Sequence, residues 1–389
     1  MNLDVTVIDR IGWGQAASAG NGGILAACAM VPVTGPGLIR KAPGMLFDKE
    51  FPLFMKWGYV PKLIPWLVKY LSHANADDTH RISDGLAELV CDSVTQHDAL
   101  ADGTSATDWI AKSEYSYAYK DRAAFEADAF AWAIRAKHGI NVTLRDGRDV
   151  QAREPSLAPD VTLLATMTDH GYIRDPSGYV AALGATFEQN GGTYIRAGVT
   201  DFELENDKIT AVVTDQGRFA CDNAVLTTGA WSKSLMKKLG LNIPLESERG
   251  YHILFKNARG GPNHPVMLAS GKFVITPMAQ GVRCAGTVEF GGLEAGPSKA
   301  PFDFLRRHAK AALPNMTWDE EIEWQGHRPA TTDSLPLIGQ IRETGIYAGF
   351  GHQHIGLTAG PKTGRLLAQL IAGQPPNIDL TPYQPARFD

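Results

Sequence analysis

The chain predicts a mixed α/β fold. One domain is assembled from separated segments, and a second, mostly antiparallel domain is inserted between them. Three observations carry this. Residues 3–9 (LDVTVID) read as a short strand at the start. A strand at 346–348, a glycine-rich turn and a helix at about 361–372 close the chain. Between them, 193–227 and 243–290 read as runs of strands separated by turn residues.

Taken in order, the strand at 3–9 leads into a Gly-, Ala- and Ser-rich loop, 12–23. The stretch 32–52 holds four prolines and several glycines and reads as a long connection. Leu86, Leu89, Val90, Val94 and Leu100 recur at helical spacing over 84–101. A second helix spans 123–138 and stops at Gly139. Asp175-Pro176 opens a third, an N-cap followed by proline at the first helical position, which ends at Gly191-Gly192. Strands follow at 193–196, 200–205, 208–214, 218–221 and 224–227, with turns at Asn206-Asp207 and Asp215-Gln216-Gly217. A helix over 302–312 stops before Pro314.

The 389 residues suit two domains, and 44% hydrophobic with 20% charged residues is ordinary for a globular protein. A net charge of −5 gives nucleic acid no electrostatic reason to bind. Cys28, Cys91, Cys221 and Cys284 form no CxxC pair, so no metal site or disulfide framework is expected, and a cytoplasmic setting fits. No secretory signal opens the chain. Lys56, Pro61, Lys62, Pro65 and Lys69 interrupt the apolar stretch 51–71, which excludes a continuous membrane span. Its bland reading is an irregular helical segment on the core. Trp57, Tyr59 and Trp66 among lysines also suit peripheral contact with the inner face of a membrane.

Four patterns can carry chemistry. Asp9 ends a strand, where a carboxylate can hold ribose hydroxyls in a dinucleotide fold. The loop Gly12-Trp13-Gly14-Gln15-Ala16-Ala17 matches GxGxxA but is discounted, because Trp13 crowds the turn and no acidic strand end follows. Ser18-Ala19-Gly20-Asn21-Gly22-Gly23 lets backbone approach a phosphate or a flat ring, although a surface turn has the same composition. Finally, GHRPATTDSLPLIG (326–339) and GFGHQHIGLT (349–358) place glycines before a helix, and hold Arg328 beside a proline. A guanidinium so held can grip a carboxylate with two parallel bonds.

The two C-terminal motifs, with ERGYH (248–252), Asp175-Pro176, TTGAWS (227–232), and VTVIDR followed by SAGNGG, resemble the D-amino-acid oxidase-like flavoproteins over almost the whole chain. They are most similar to the D-amino-acid dehydrogenase group, which includes D-hydroxyproline dehydrogenases. The resemblance implies a Rossmann-like FAD-binding domain from residues 1–45, 170–232 and 323–389, and a substrate domain from 46–169 and 233–322. It implies that Asp9 and Arg10 meet the adenosine ribose, that Ser18, Asn21, Gly22 and Gly23 lie along the flavin, and that Val199 offers its backbone to adenine. By the same resemblance, Thr228 and Gly229 are expected to pack on the cofactor, and Gly351, Gly356, Leu357 and Thr358 to line the pyrimidine end of the ring. It further implies that Arg328 holds the substrate carboxylate with help from Tyr251, and that His352 or His354 assists with protons or holds the flavin. The family's first strand, its GxGxxG loop and its first helix are expected upstream of residue 1, in a longer working enzyme. The alternative is a chain that binds FAD poorly or not at all.

The implied reaction is oxidation of a small amino or imino acid by hydride transfer from Cα to flavin N5, giving an imine that hydrolyses. The electron acceptor is left open between a quinone, an electron-transfer protein and oxygen. A glycine or sarcosine oxidase-like activity and a non-catalytic remnant are the competing readings.

Overall fold

The computed structural model describes residues 3–48 and 50–388. The first strand, Thr6–Asp9, pairs in parallel with Thr193–Arg196. Ala224–Leu226, Ile346–Phe350 and Leu337–Gln340 form a second small sheet, parallel and then antiparallel. Val199–Glu205, Lys208–Thr214 and Gly217–Ala220 make an antiparallel meander. The largest sheet has ten strands and is mostly antiparallel. Its main path runs from Glu320–Thr331 through Leu245–Lys256 and Gly281–Phe290 to Ile110–Tyr119, Leu163–Ile173 and Ile24–Leu25. The expected boundary at residue 323 therefore cuts a continuous strand, and Ile24–Leu25, expected in the other domain, pairs with this sheet.

Local signals explain some helix starts. Asp175 caps Pro176–Gln189 by accepting the Ser177 N–H at 3.0 Å, and Asn75 caps Ala76–Val90 through the Asp78 N–H at 2.9 Å. The helix expected at 84–101 is instead two, Ala76–Val90 and Ser93–Ala101. The break at Asp92 lets its carboxylate meet Lys362 of the last helix at 3.1 Å, a partner the sequence pattern does not reveal. The helix at 123–138 is likewise split, into Arg122–Glu126 and Ala129–Lys137. The expected connection 32–52 contains a helix, Leu38–Phe47, entered from Gly37 in the left-handed conformation. The stretch 51–71 holds a short strand, Leu53–Met55, and the helix Val60–Ser72.

Two cores set the site. Ala359, Leu366 and Leu367 of the last helix, Gly356–Ile371, pack on Ile82, Leu86 and Leu89. Phe302 and Leu305 of Lys299–Ala312 cover one face of the large sheet, against Tyr251, Ile253 and Phe273. The opposite face of that sheet is left to a cavity. Among the described residues, no helix is long and apolar enough to cross a membrane.

Candidate active site

A cavity of about 1410 Å³ lies between the loop after the first strand, the N-terminus of the last helix and the open face of the large sheet. Of the residues singled out in the sequence, Asp9, Arg10, Ser18, Asn21, Gly22, Val199, Thr228, Gly229, Arg328, His352, His354, Gly356, Leu357 and Thr358 all line it.

At one end, Asp9 Oδ1 accepts the N–H groups of Ile11 at 2.8 Å and Gly12 at 3.0 Å, which leaves Oδ2 for another donor. The Arg10 guanidinium lies 4.5 Å over the Trp231 ring, a cation–π contact that holds it along the wall. In the middle, side chains of the large sheet fasten the 18–23 turn. Arg283 donates to Asn21 O at 2.6 Å and Thr276 to Gly22 O at 2.8 Å. At the other end, the last helix begins with no side-chain cap. Its first-turn N–H groups have no partner within the helix and carry the positive end of its dipole. Gly356, Leu357 and Thr358 present that end to the cavity, and a side chain built on Gly360 would meet nothing within 4 Å.

These features fit FAD: a carboxylate placed for ribose hydroxyls, a turn whose Gly20 and Gly22 let backbone approach a flat ring, and bare amides for a polar ring edge. Among the described residues, no group of His, Cys, Asp or Glu is arranged to hold a metal ion.

Arg328 comes from Glu320–Thr331 and crosses the neighbouring strand at Gly250. Its Nη1 donates to Thr287 O at 3.1 Å. A Cβ at position 250 would sit 2.6 Å from Arg328 Cζ, so the arm needs a glycine beneath it. Gly250→Ala is therefore expected to push the guanidinium aside. The kcat/KM of the enzyme should fall by about 100-fold, the cost of misplacing a binding group by about 1 Å. A thermal melt should move little, and unchanged kinetics would remove Gly250 from this role.

Three expected site residues lie off the wall. Tyr251 belongs to the opposite face of its strand, because side chains alternate there. Its hydroxyl donates to Glu289 at 2.5 Å and accepts the Ser298 N–H at 3.1 Å. It supports the sheet rather than Arg328. Gly23 has φ +78, and a Cβ there would sit 2.6 Å from Ile173 O, so it serves strand pairing. Gly351, at φ +91, shapes the turn behind the wall.

His352 and His354 are uncharged at neutral pH. His352 is buried, bonded to Thr363 Oγ1 at 2.9 Å, and burial pulls its pKa down to about 4. His354 is exposed along the open cavity, and desolvation by the surrounding wall, and then the Arg328 charge, pull it down to about 4. Burial also takes His97 and His170 to about 4. An unfolded histidine titrates at about 6.5. The folded state thus binds these protons more weakly than the unfolded state. The stability they contribute is fully present above about pH 6.5 and is lost as pH falls toward about 4. The melting temperature is expected to decline across that window, and a flat profile there would contradict the buried neutral state.

The sequence did not single out Glu248 or Tyr70, and both are buried on the cavity wall near Arg328. Glu248 does lie two residues before Gly250, and period-two alternation puts both on one face.

A profile of the family described as FAD dependent oxidoreductase (DAO) matches residues 2–370. A D-amino-acid oxidase of Bradyrhizobium diazoefficiens is 38% identical over 393 residues, covering 99% of this chain and 93% of that protein. A D-amino acid dehydrogenase of Paramagnetospirillum magneticum is 26% identical, with 97% and 91% covered. The crystal structure of a glycine oxidase from Bacillus cereus superposes with a TM-score of 0.72 at 19% identity, covering 96% and 92%, and shows the same fold.

Proposed function

The chain belongs to the FAD dependent oxidoreductase (DAO) family, and on that premise we propose that it oxidises a small amino or imino acid at Cα, of the D-amino-acid or D-proline type. One observation carries the reading. The Arg328 guanidinium is held over Gly250 in the same cavity as the bare N-terminus of the last helix. The substrate class of the relatives, D-amino acids by their names, supports it.

When bound, FAD supplies the acceptor for the hydride leaving Cα, at flavin N5. The protein's part is placement. Arg328 takes the substrate carboxylate in a paired hydrogen bond, with its second contact, Thr287 O, fixing its direction. Val288 and Phe290 on the wall beside it exclude water from the reacting carbon. The product imine hydrolyses in solution. His352 and His354, neutral through the physiological range, act as hydrogen-bonding groups rather than as charged acids.

The first test is a substrate profile with D-alanine, D-proline, glycine and sarcosine on yellow, FAD-loaded protein. Turnover of glycine and sarcosine alone would move the assignment to a glycine oxidase type. Protein that takes up no FAD would mark a non-catalytic remnant.

A quinone or a protein acceptor at a membrane face is the favoured outlet for electrons. On Val60–Ser72, Ile64 and Val68 are 50% and 64% exposed between Lys62 and Lys69, while Leu67 and Leu71 of the same helix line the cavity. Peroxide is accordingly expected to form much more slowly than substrate is consumed with a quinone analogue. Stoichiometric peroxide in air would assign oxygen instead.

A further inference from the structure

Glu248 pairs in register with Arg328 on one side and with Phe290 on the other, and its carboxylate lies buried on the cavity wall. Among the described residues it has neither a hydrogen-bond donor nor an ion-pair partner. Arg328 is in electrostatic reach but does not close on it. A buried carboxylate without a donor is costly, and a ligand that brings a cation removes that cost. Among the described residues, the other cations of the cavity lie against other groups: Arg10 on Trp231, Arg135 on Tyr117 and Trp132, and Lys272 over Phe51. Tyr70 faces it from the Val60–Ser72 helix as a neutral phenol, whose proton is held tightly by burial and then by the Glu248 charge. Glu246, on the same strand, accepts from the Tyr59 hydroxyl at 3.0 Å and 3.1 Å. Phe290 and Val288 bring no charge, and Glu289 between them is bound to Arg249 on the other face. The wall thus sets one cation and one anion on directly paired residues, whose Cα atoms stand about 5 Å apart in an antiparallel sheet.

We propose that Glu248 accepts the substrate's ammonium group and takes a proton from it, so that Arg328 and Glu248 together read both charged ends of an α-amino acid. This rests on the proposed function. In the proton step, one N–H bond of the ammonium breaks and one O–H bond forms on Glu248. The N–H electron pair stays on nitrogen as a lone pair. A negative and a positive charge become two neutral groups, so no charge is stranded in the wall. The freed lone pair is what the nitrogen needs to form the C=N bond as the hydride leaves Cα. Burial already raises the proton affinity of Glu248, with Arg328 opposing and Glu246 adding to it, which suits a group that must accept a proton.

The test uses FAD-loaded protein and two ligands, isobutyrate and 2-aminoisobutyrate. They differ by the ammonium group, and the second has no Cα–H to lose. Calorimetry on wild type and Glu248→Gln is expected to show isobutyrate affinity within about threefold, and 2-aminoisobutyrate weakened by about 10- to 100-fold, the range for a hydrogen bond to a charged group. With D-alanine, the acid limb of the kcat/KM profile is expected to vanish in Glu248→Gln. Unchanged binding of both ligands with the acid limb retained overturns the proposal. In that case wild-type isobutyrate binding that depends on Arg328 still stands for the underlying reading. Wild type that neither binds isobutyrate nor oxidises any amino acid overturns both. If Glu248→Gln loses both ligands, Glu248→Asp decides: a restored preference for 2-aminoisobutyrate supports the role, and its absence overturns it.

Discussion

Arg328→Ala is expected to raise KM for an amino-acid substrate by about 30- to 4000-fold, matching the roughly 2–5 kcal/mol lost when one partner of a buried charged pair is removed. The side chain lies on the cavity wall across a glycine and spends one hydrogen bond on Thr287 O, which leaves its remaining donors available for the proposed carboxylate. In this variant the flavin spectrum should be retained, because Asp9, Arg10 and the first turn of the last helix line other parts of the cavity. Arg328→Lys is expected to recover only part of the loss, since a lone ammonium cannot make the paired bond. Steady-state kinetics on both variants is the measurement. A KM that stays within about threefold of wild type in Arg328→Ala, well short of the expected loss, would falsify the carboxylate role.

Glu289→Ala is expected to destabilise the fold by about 3–5 kcal/mol, the cost of breaking a buried ion pair by removing one partner. Arg249 is completely buried, its Nη1 lies 3.1 Å from Glu289, and Tyr251 donates to the same carboxylate. Taking the carboxylate away leaves a guanidinium in the interior and a phenol without its acceptor. Chemical denaturation reads this directly. Replacing Arg249 and Glu289 together with apolar residues of similar volume should cost much less, because no charge is then left unpaired. A single variant as stable as wild type would show that the pair is solvated after all. The same variants separate stability from chemistry: Tyr251→Phe should soften the sheet without moving KM, since the hydroxyl faces away from the cavity.

How much of this was legible differs from element to element. The strand ending at Asp9 and the Asp175-Pro176 helix start are written in neighbouring residues, so the sequence reads them well, whereas the last helix, expected from about 361, already begins at Gly356 and carries Pro361 inside it. The break between Ala76–Val90 and Ser93–Ala101 was not legible, because Asp92 answers to Lys362 of the last helix. The segment 248–252 was half legible. Period-two alternation sorts Glu248 and Gly250 from Arg249 and Tyr251, but the whole strand from Leu245 to Phe255 is buried, so no polar face marks the cavity side. Tyr251, expected to help Arg328, accordingly lies on the face away from the cavity, and Glu248 carries no expected role beyond its place in the ERGYH motif.

By itself, the sequence determined the mixed α/β class, the family, and the two glycine-led C-terminal motifs that bring Arg328 and the last helix to one place. Those are matters of local conformation and residue type, carried within a few neighbours along the chain. Only the tertiary structure decided which side chains share a wall: Arg328 over Gly250 with Glu248 beside it, and Arg249, Glu289 and Tyr251 locked behind them. That choice depends on which face of the large sheet is covered by the helix Lys299–Ala312 and which is left open, and a strand buried on both faces carries no mark of it in its own residues.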